Sequence, residues 1–228
     1  MEEWLLLDQT GAPGDPFGNM ALDEALLLHA AHRGAPTLRF YAWDRPAASF
    51  GLLQAYAAAA ALTPLRPLVR RPTGGGLVLH ENDWTYSLIF PPNRPWSRLR
   101  AEASYRRLHE WLRKAFSLAG VETRLAQAPQ IEGPGQCFVG AERHDLLCSG
   151  RKIAGAAQRR ARHGLLIQGS VQPPPGLDRA SWQRALRRAA EVKWGVRWVF
   201  RDLDEAELET ARRLREEKYA APSFLKKR

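Results

Sequence analysis

Lys152 is the residue whose type and sequence surroundings point most directly to chemistry. It lies in the segment GRKIAGAAQRR, residues 150–160, where small residues including Gly155 and Ala157 follow it closely. Small side chains let a ligand approach the backbone, and an enclosed lysine can hold a phosphate or polarise a carbonyl as a point charge. The alternative is an exposed basic hairpin.

Cys137 is a second candidate for chemistry because it follows a Pro/Gly-rich loop and stands 15 residues before Lys152. A thiol on a loop beside a basic group is favoured as a thiolate, which can act as an acyl acceptor. The alternative is a small buried hydrophobe. Cys148 follows two leucines and is expected in the core. Two cysteines exclude a disulfide scaffold and an all-cysteine zinc site, and we expect no metal site.

A glycine-rich turn between two apolar segments is the third candidate. Three glycines allow the backbone to pass close to a ligand, and two arginines add charge-assisted donors. The spacing matches neither a dinucleotide-binding loop nor a phosphate-binding P-loop. The alternative is a strained hairpin turn with surface arginines. The candidate binding residues are Arg70, Arg71, Thr73, Gly74, Gly75 and Gly76.

His80 ends the segment that follows this turn. A lone histidine in such a place is more often a hydrogen-bonded core or rim residue than a catalyst. We keep it as a candidate for substrate binding.

These residues must be positioned by an alternation of helices and strands. Hydrophobic periodicity predicts helices at 19–32, 55–62, 102–119, 179–190 and 204–219, with Asn19 and Gly120 as caps. Strands are predicted at 37–43, 48–53, 68–71, 77–80, 84–90, 145–148, 151–157 and 164–171, with 77–80 and 84–90 forming a hairpin. The irregular order favours an α+β fold with a mixed, mostly antiparallel sheet flanked by helices.

The 228 residues suit a single domain over 1–228, with a helical C-terminal tail from about residue 176. No apolar run approaches the length that spans a bilayer, and Met-Glu-Glu-Trp has none of the features of a signal peptide. The expected location is therefore cytoplasmic, without a membrane partner.

The chain carries a formal charge of +10, from 34 Lys+Arg and 24 Asp+Glu. Such a chain can attract nucleic acid, an anionic membrane or an acidic protein, or reflect only a compositional preference for arginine. Charge alone leaves these alternatives open.

Taken together, the motifs resemble the lipoate–protein ligase A family, whose fold is shared with biotin protein ligases and octanoyltransferases. RRPTGGG with LVLH, residues 70–80, is similar to the family's RR-x-[ST]-GGG-x-V-x-H signature, and GRKIAG with AQ, residues 150–158, is similar to its lysine motif. Residues 19–24, 38–43 and 49–54 resemble its first helix and early strands. The resemblance covers nearly the whole chain.

The resemblance implies one of two chemistries. Ligases activate lipoate or octanoate with ATP and Mg²⁺ and place Lys152 and Arg70 on the adenylate phosphate. Cysteine-dependent octanoyltransferases need no cofactor, and there Cys137 carries the acyl group while Lys152 assists. Cys137-Phe138, the segment WTYS at 84–87 and the short stretch after Ser170 favour the transferase. Gly76, where transferases often have arginine, and Gln168, where many relatives have histidine, depart from the pattern.

As a transferase, the protein is expected to take an octanoyl or lipoyl group from acyl carrier protein. The acceptor would be a lysine of a lipoyl domain or of glycine cleavage H protein. Apolar sheet residues, Leu77 and Leu79 among them, are expected to accommodate the chain. Because partners of this kind are acidic, the positive charge of the chain is expected to attract them. Nucleic-acid binding is not expected, because no helix-turn-helix precedes the motifs.

Overall fold

The computed structural model describes residues 1–129, 138 and 140–227. Its strands are β1 (Glu2–Gly14), β2 (Thr37–Trp43), β3 (Ala47–Phe50), β4 (Leu68–Arg70), β5 (Val78–His80), β6 (Trp84–Phe90), β7 (Arg124–Leu125), β8 (Leu146–Cys148), β9 (Arg151–Ala161), β10 (Gly164–Val171) and β11 (Val196–Phe200). Its helices are α1 (Pro16–Leu28), α2 (Ala30–Arg33), α3 (Tyr56–Ala61), α4 (Pro95–Arg98), α5 (Ala101–Leu118), α6 (Arg179–Trp194), α7 (Glu205–Leu214) and α8 (Pro222–Leu225). A π-helical turn, Arg215–Tyr219, follows α7.

The main sheet has eight strands in the order β11-β1-β2-β6-β10-β9-β8-β7. The pairs of β1 with β11 and with β2 are parallel, and the other neighbouring pairs are antiparallel. Helices α5 and α6 pack on one face over a core that contains Trp4, Trp111 and Trp182. Helix α1 packs against Ile89 and Leu166 in a separate cluster. The predicted mixed, mostly antiparallel sheet with flanking helices is confirmed.

A small second sheet carries the glycine-rich turn. Its order is β4-β3-β5, with β3 parallel to β4 and antiparallel to β5. The predicted hairpin between β5 and β6 is therefore wrong, because β5 pairs with β3 while β6 lies between β2 and β10 in the main sheet. The turn between β5 and β6 thus connects the two sheets.

Helix α1 begins earlier than predicted. Asp15 caps it by accepting hydrogen bonds from the backbone N–H groups of Phe17 and Gly18, and Pro16 occupies the first turn. Asn19 is not the cap. Its buried side chain donates to the carbonyls of Gly14 and Ala42 instead, which ties α1 to β2.

The C-terminal quarter is more than the helical tail predicted from the sequence. Strand β11 lies between α6 and α7 and extends the main sheet beside β1. Neither β11 nor β1 is predicted from the sequence. The run Trp4–Leu7 in β1 is buried at every position, so it lacks the alternation that identifies a half-exposed strand. Among the described residues, no helix is long and apolar enough to cross a membrane.

Candidate functional site

A cavity of about 440 Å³ is bounded by strands of both sheets and by α1 and α5. Its walls are largely apolar and include Met20, Tyr41, Trp43, Val78 and Phe138. This volume lies in the range of small-molecule sites, about 300–1,000 Å³. An apolar cavity of this size can enclose a short acyl chain.

The structure brings most of the predicted site residues to this cavity. Those that line it are Arg71, Gly75, Gly76, His80, Lys152, Gly155 and Ala157. Arg70, Thr73 and Gly74 are not among its lining residues. Cys137 lies outside the residues that the structure describes, although its neighbour Phe138 lines the cavity.

Lys152 is held by a buried carboxylate and does not lie in an exposed hairpin. Its Nζ lies 2.7 Å from Oδ2 of Asp145, and the two side chains are 7% and 0% exposed. A Cβ at Gly155 would come within 2.8 Å of Lys152 Cε, so this glycine provides the space in which the lysine side chain lies. The Phe138 ring centre is 5.2 Å from Nζ. The ammonium group is therefore fixed at the cavity wall.

Asp145 is itself held by two further donors. The Tyr105 hydroxyl donates to its Oδ1, and the backbone N–H of Glu142 donates to Oδ2 over 2.6 Å. Burial and the adjacent Asp145 carboxylate raise the pKa of Tyr105 well above its ordinary value, so the hydroxyl remains a donor. The sequence motifs did not single out either residue.

Arg71 clamps the glycine-rich turn from inside. Its Nη1 donates to the carbonyl and the hydroxyl of Ser49, at 2.7 and 2.8 Å. Its Nη2 donates to the carbonyls of Gly74 and Gly76, at 2.9 and 2.7 Å. Gly75 has a φ of 85°, a backbone conformation that favours glycine. The interpretation as a turn with surface arginines is thus wrong, since Arg71 is 5% exposed.

Arg70 does not line the cavity, and its guanidinium group donates to backbone carbonyls instead. Its Nε donates to Phe224, its Nη1 to Leu52 and Gln54, and its Nη2 to Leu225 and Lys227, at 2.6 to 3.0 Å. A guanidinium group has five N–H donors, so all of them are used. This placement favours a structural role for Arg70 over contact with a substrate.

Thr73 and Gln168 connect the glycine-rich turn to a buried polar network. Thr73 Oγ1 donates to Gln168 Oε1, and Gln168 Nε2 donates to Asp23 Oδ2, both over 2.7 Å. Arg39 forms a buried ion pair with Asp23 at 2.7 Å, and Ser87 donates to the same carboxylate. Gln168 therefore connects the glycine-rich turn to α1.

His80 belongs to a chain of hydrogen bonds. Its Nε2 lies 2.6 Å from Ser49 Oγ, its Nδ1 lies 2.9 Å from Asp83 Oδ2, and its ring stacks on Trp43 with centroids 3.9 Å apart. Burial opposes ionisation of Asp83. The charge and hydrogen bond of His80 nevertheless hold the pKa of Asp83 below its ordinary value, and hydrogen bonds from the hydroxyls of Ser170 and Thr85 act in the same direction.

The residues expected to accommodate an acyl chain need a correction. Leu77 is buried in a cluster with Phe50 and Leu68, and Leu79 is 37% exposed. Val78 lines the cavity instead, because side chains in β5 alternate between the two faces of the small sheet.

Within the described ranges, no group of three His, Cys, Asp or Glu side chains is placed to hold a metal ion.

The chain is similar in sequence to known enzymes of protein lipoylation. A family model described as the lipoyl protein ligase A/B catalytic domain matches residues 15–188. Octanoyltransferase LipM of Oceanobacillus iheyensis is 37% identical over 177 residues, covering 75% of this chain and 64% of that protein. Octanoyltransferase LipM of Moorella thermoacetica is 36% identical over 179 residues, covering 75% and 65%. The chain thus spans just under two thirds of the length of these curated relatives.

Solved structures show the same fold. A putative lipoate protein ligase from T. acidophilum superposes with a TM-score of 0.80 at 20% identity, covering 98% of each chain. A lipoate-protein ligase A bound with ATP superposes with a TM-score of 0.79 at 20% identity, covering 99% of this chain and 98% of that one. At this identity the likeness establishes architecture only.

Proposed function

Because this chain belongs to the lipoyl protein ligase A/B catalytic domain family, we propose that it is an octanoyltransferase of protein lipoylation. It would move an octanoyl or lipoyl group from acyl carrier protein to a lysine of a lipoyl domain or glycine cleavage H protein. The observation that carries this proposal is a lysine fixed at the wall of an apolar cavity, in a chain 37% identical to an octanoyltransferase LipM.

In the first step, the acyl chain occupies the cavity and its thioester carbonyl lies near Lys152. Each buried methylene contributes about 0.8 kcal/mol to binding, so the cavity favours a chain of matching length. The thiolate of Cys137 attacks the carbonyl carbon, and Lys152 Nζ donates to the oxygen on which negative charge develops. The carbon–sulfur bond to the carrier then breaks, and the carrier thiolate leaves. The acyl group remains on Cys137 as a thioester.

In the second step, the neutral amine of the acceptor lysine attacks this thioester. A carbon–nitrogen bond forms, the bond to the Cys137 sulfur breaks, and the proton lost by the amine passes to water, so that Cys137 is restored as a thiolate. Lys152 again stabilises the charge on the carbonyl oxygen. Asp145 keeps the ammonium group in place for both steps, since it holds Nζ at 2.7 Å from a fully buried position. No cofactor takes part in this sequence.

The alternative is an ATP-dependent lipoate–protein ligase that works through an acyl-adenylate with Mg²⁺. The family resemblance places Lys152 and Arg70 on the adenylate phosphate in that mechanism. Lys152 fits such a role, because its amine faces the cavity. Arg70 does not fit, because all five of its N–H groups donate to backbone carbonyls. This difference supports the transferase.

One assay separates the two activities. The protein is incubated with octanoyl-acyl carrier protein and an apo lipoyl domain, without ATP, and the acceptor is weighed by mass spectrometry. We expect octanoylated acceptor from the wild type and none from Cys137→Ser. The control Glu191→Gln, which changes an exposed ion pair with Arg188, should leave the product unchanged. Product that requires free octanoate and ATP, and that survives Cys137→Ser, would establish the ligase instead.

A further inference from the structure

A second cavity, of about 740 Å³, adjoins the first. It is lined by the turn between β8 and β9, by the start of β9, and by the segment after β10, where Gln172 precedes Pro173–Pro174–Pro175. The two cavities share Phe138, Gly140, Ala141 and Lys152. Lys152 therefore lies where the two spaces meet.

We propose that this second cavity binds the 4′-phosphopantetheine arm of the thioester donor, with Arg151 on its phosphate. The inference rests on the proposed octanoyl transfer and adds the route by which the donor reaches Lys152. A thioester has two substituents, the acyl chain and the thiol-bearing arm. When the carbonyl lies at Lys152 and the acyl chain fills the first cavity, the arm must leave by a different opening. The second cavity begins at the same lysine.

The lining of the second cavity suits such an arm. The first cavity is largely apolar, whereas a larger share of the second cavity's lining is polar, and Ser149, Gln172 and Arg151 are among the residues that line it. The arm carries two amides and ends in a phosphate, so it requires hydrogen-bonding groups along its length and a cation at its end. Arg151 lines this cavity and is exposed, so a phosphate can reach it from solvent.

The positions of Lys152 and Arg151 separate the reacting carbonyl from the phosphate. The Lys152 side chain extends along β9, because its Cε would lie 2.8 Å from a Cβ on Gly155. Gly155 is four residues from Arg151, which corresponds to about 13 Å of strand. In the transfer step, a carbon–sulfur bond forms at Cys137 and the bond to the arm breaks. The arm's thiolate leaves through the second cavity and takes up a proton from water.

Coenzyme A and acyl carrier protein carry the same arm, so three donors are needed to test the proposal. Octanoyl-acyl carrier protein and octanoyl-coenzyme A contain the phosphate, and octanoyl-N-acetylcysteamine lacks it. For Arg151→Glu, we expect kcat/KM to fall about tenfold more with either phosphate-bearing donor than with octanoyl-N-acetylcysteamine. The matched control is Arg162→Glu, which reverses the same charge in an exposed position just beyond the opposite end of β9. It should leave all three values unchanged.

Competition gives a second measurement. Coenzyme A should inhibit transfer from octanoyl-N-acetylcysteamine competitively, and about tenfold less strongly in Arg151→Glu. A loss confined to acyl carrier protein would place Arg151 in a protein–protein contact and overturn the proposal. An equal loss with all three donors, or no loss, would overturn it as well. Failure of the wild type to transfer from any of the three donors would instead refute the proposed function.

Discussion

At the scale of single residues, the ion pair between Lys152 and Asp145 is the interaction on which the proposed chemistry depends. Its two groups are almost fully buried, so removal of one charge leaves the other without compensation. In Asp145→Asn, the amide can still accept from Tyr105, but its N–H₂ group meets the ammonium of Lys152. Asp145 is therefore a positioning residue for Lys152.

We expect Asp145→Asn to lower the free energy of unfolding by about 3 kcal/mol, the low end for a broken buried pair. The transfer rate should fall by about 10², as for loss of one donor to a developing oxyanion. Urea denaturation and single-turnover transfer measure the two effects. Glu191→Gln, which removes the carboxylate of an exposed pair with Arg188, is the control and should change neither. A variant that matched the wild type in rate would refute the positioning role.

Asp83 predicts how stability depends on pH. Its pKa is held below the ordinary value in the folded protein, so the folded state binds fewer protons than the unfolded state around that pH. This contribution to stability is complete above about pH 5, beyond the unfolded pKa of about 3.9, and is lost as pH falls through the folded pKa. Unfolding free energies of the wild type should therefore decline more steeply between about pH 5 and 2 than those of Asp83→Asn. Parallel declines in the two proteins would contradict this assignment.

Much of the candidate site could be predicted from the sequence, because its glycines and Lys152 lie in contiguous motifs. The partners of those residues could not. Asp145 is seven residues from Lys152, and Ser49 reaches His80 only because β3 pairs with β5. Arg70 and Arg71 are adjacent and identical in type, and only the fold places one at the cavity and the other among carbonyls.

At the scale of secondary-structure elements, Arg70 joins the C-terminal segment to the loop that follows β3. A lysine cannot replace all of its hydrogen bonds, because lysine has three N–H donors and arginine has five. The carbonyls of α8 and the residues just after it would lose part of their hydrogen bonding in Arg70→Lys.

Arg70→Lys should therefore lower the free energy of unfolding by about 2 kcal/mol, at about 1 kcal/mol for each lost hydrogen bond. Amide hydrogen exchange should accelerate in residues 222–227 and in the 51–54 loop, with less change in the main sheet. Arg66→Lys is the matched control, because Arg66 donates to the carbonyls of Thr63 and Leu65, which are close to it in sequence. Unchanged exchange in both segments would show that Arg70 does not hold them.

The elements that the sequence did not predict are defined by burial or by pairing between distant segments. The run Trp4–Leu7 in β1 is buried at all four positions, so its pattern does not distinguish a strand from a buried helix. Strand β11 is a short element at the edge of the sheet, and its position depends on β1. The pairing of β5 with β3 joins segments that are distant in the sequence, so the turn residues between β5 and β6 do not predict it. Residues 37–43 and 164–171, by contrast, form strands with the predicted bounds.

At the scale of the whole molecule, the formal charge of +10 bears on how protein substrates arrive. Acidic carrier and acceptor proteins would be attracted over distances comparable with the Debye length, which is about 10 Å at 0.1 M salt. Such attraction acts on the rate of association and leaves the chemistry in the cavity unaffected. A small neutral thioester does not experience it.

We therefore expect kcat/KM with octanoyl-acyl carrier protein to fall about tenfold between roughly 50 and 500 mM NaCl. With octanoyl-N-acetylcysteamine the same change should stay below about twofold, which separates steering from a general effect of salt on the enzyme. The two donors are compared in the same buffers, with kcat measured separately. Equal salt dependence for both donors would mean that the charge has no role in recognition and reflects the arginine-rich composition of the chain.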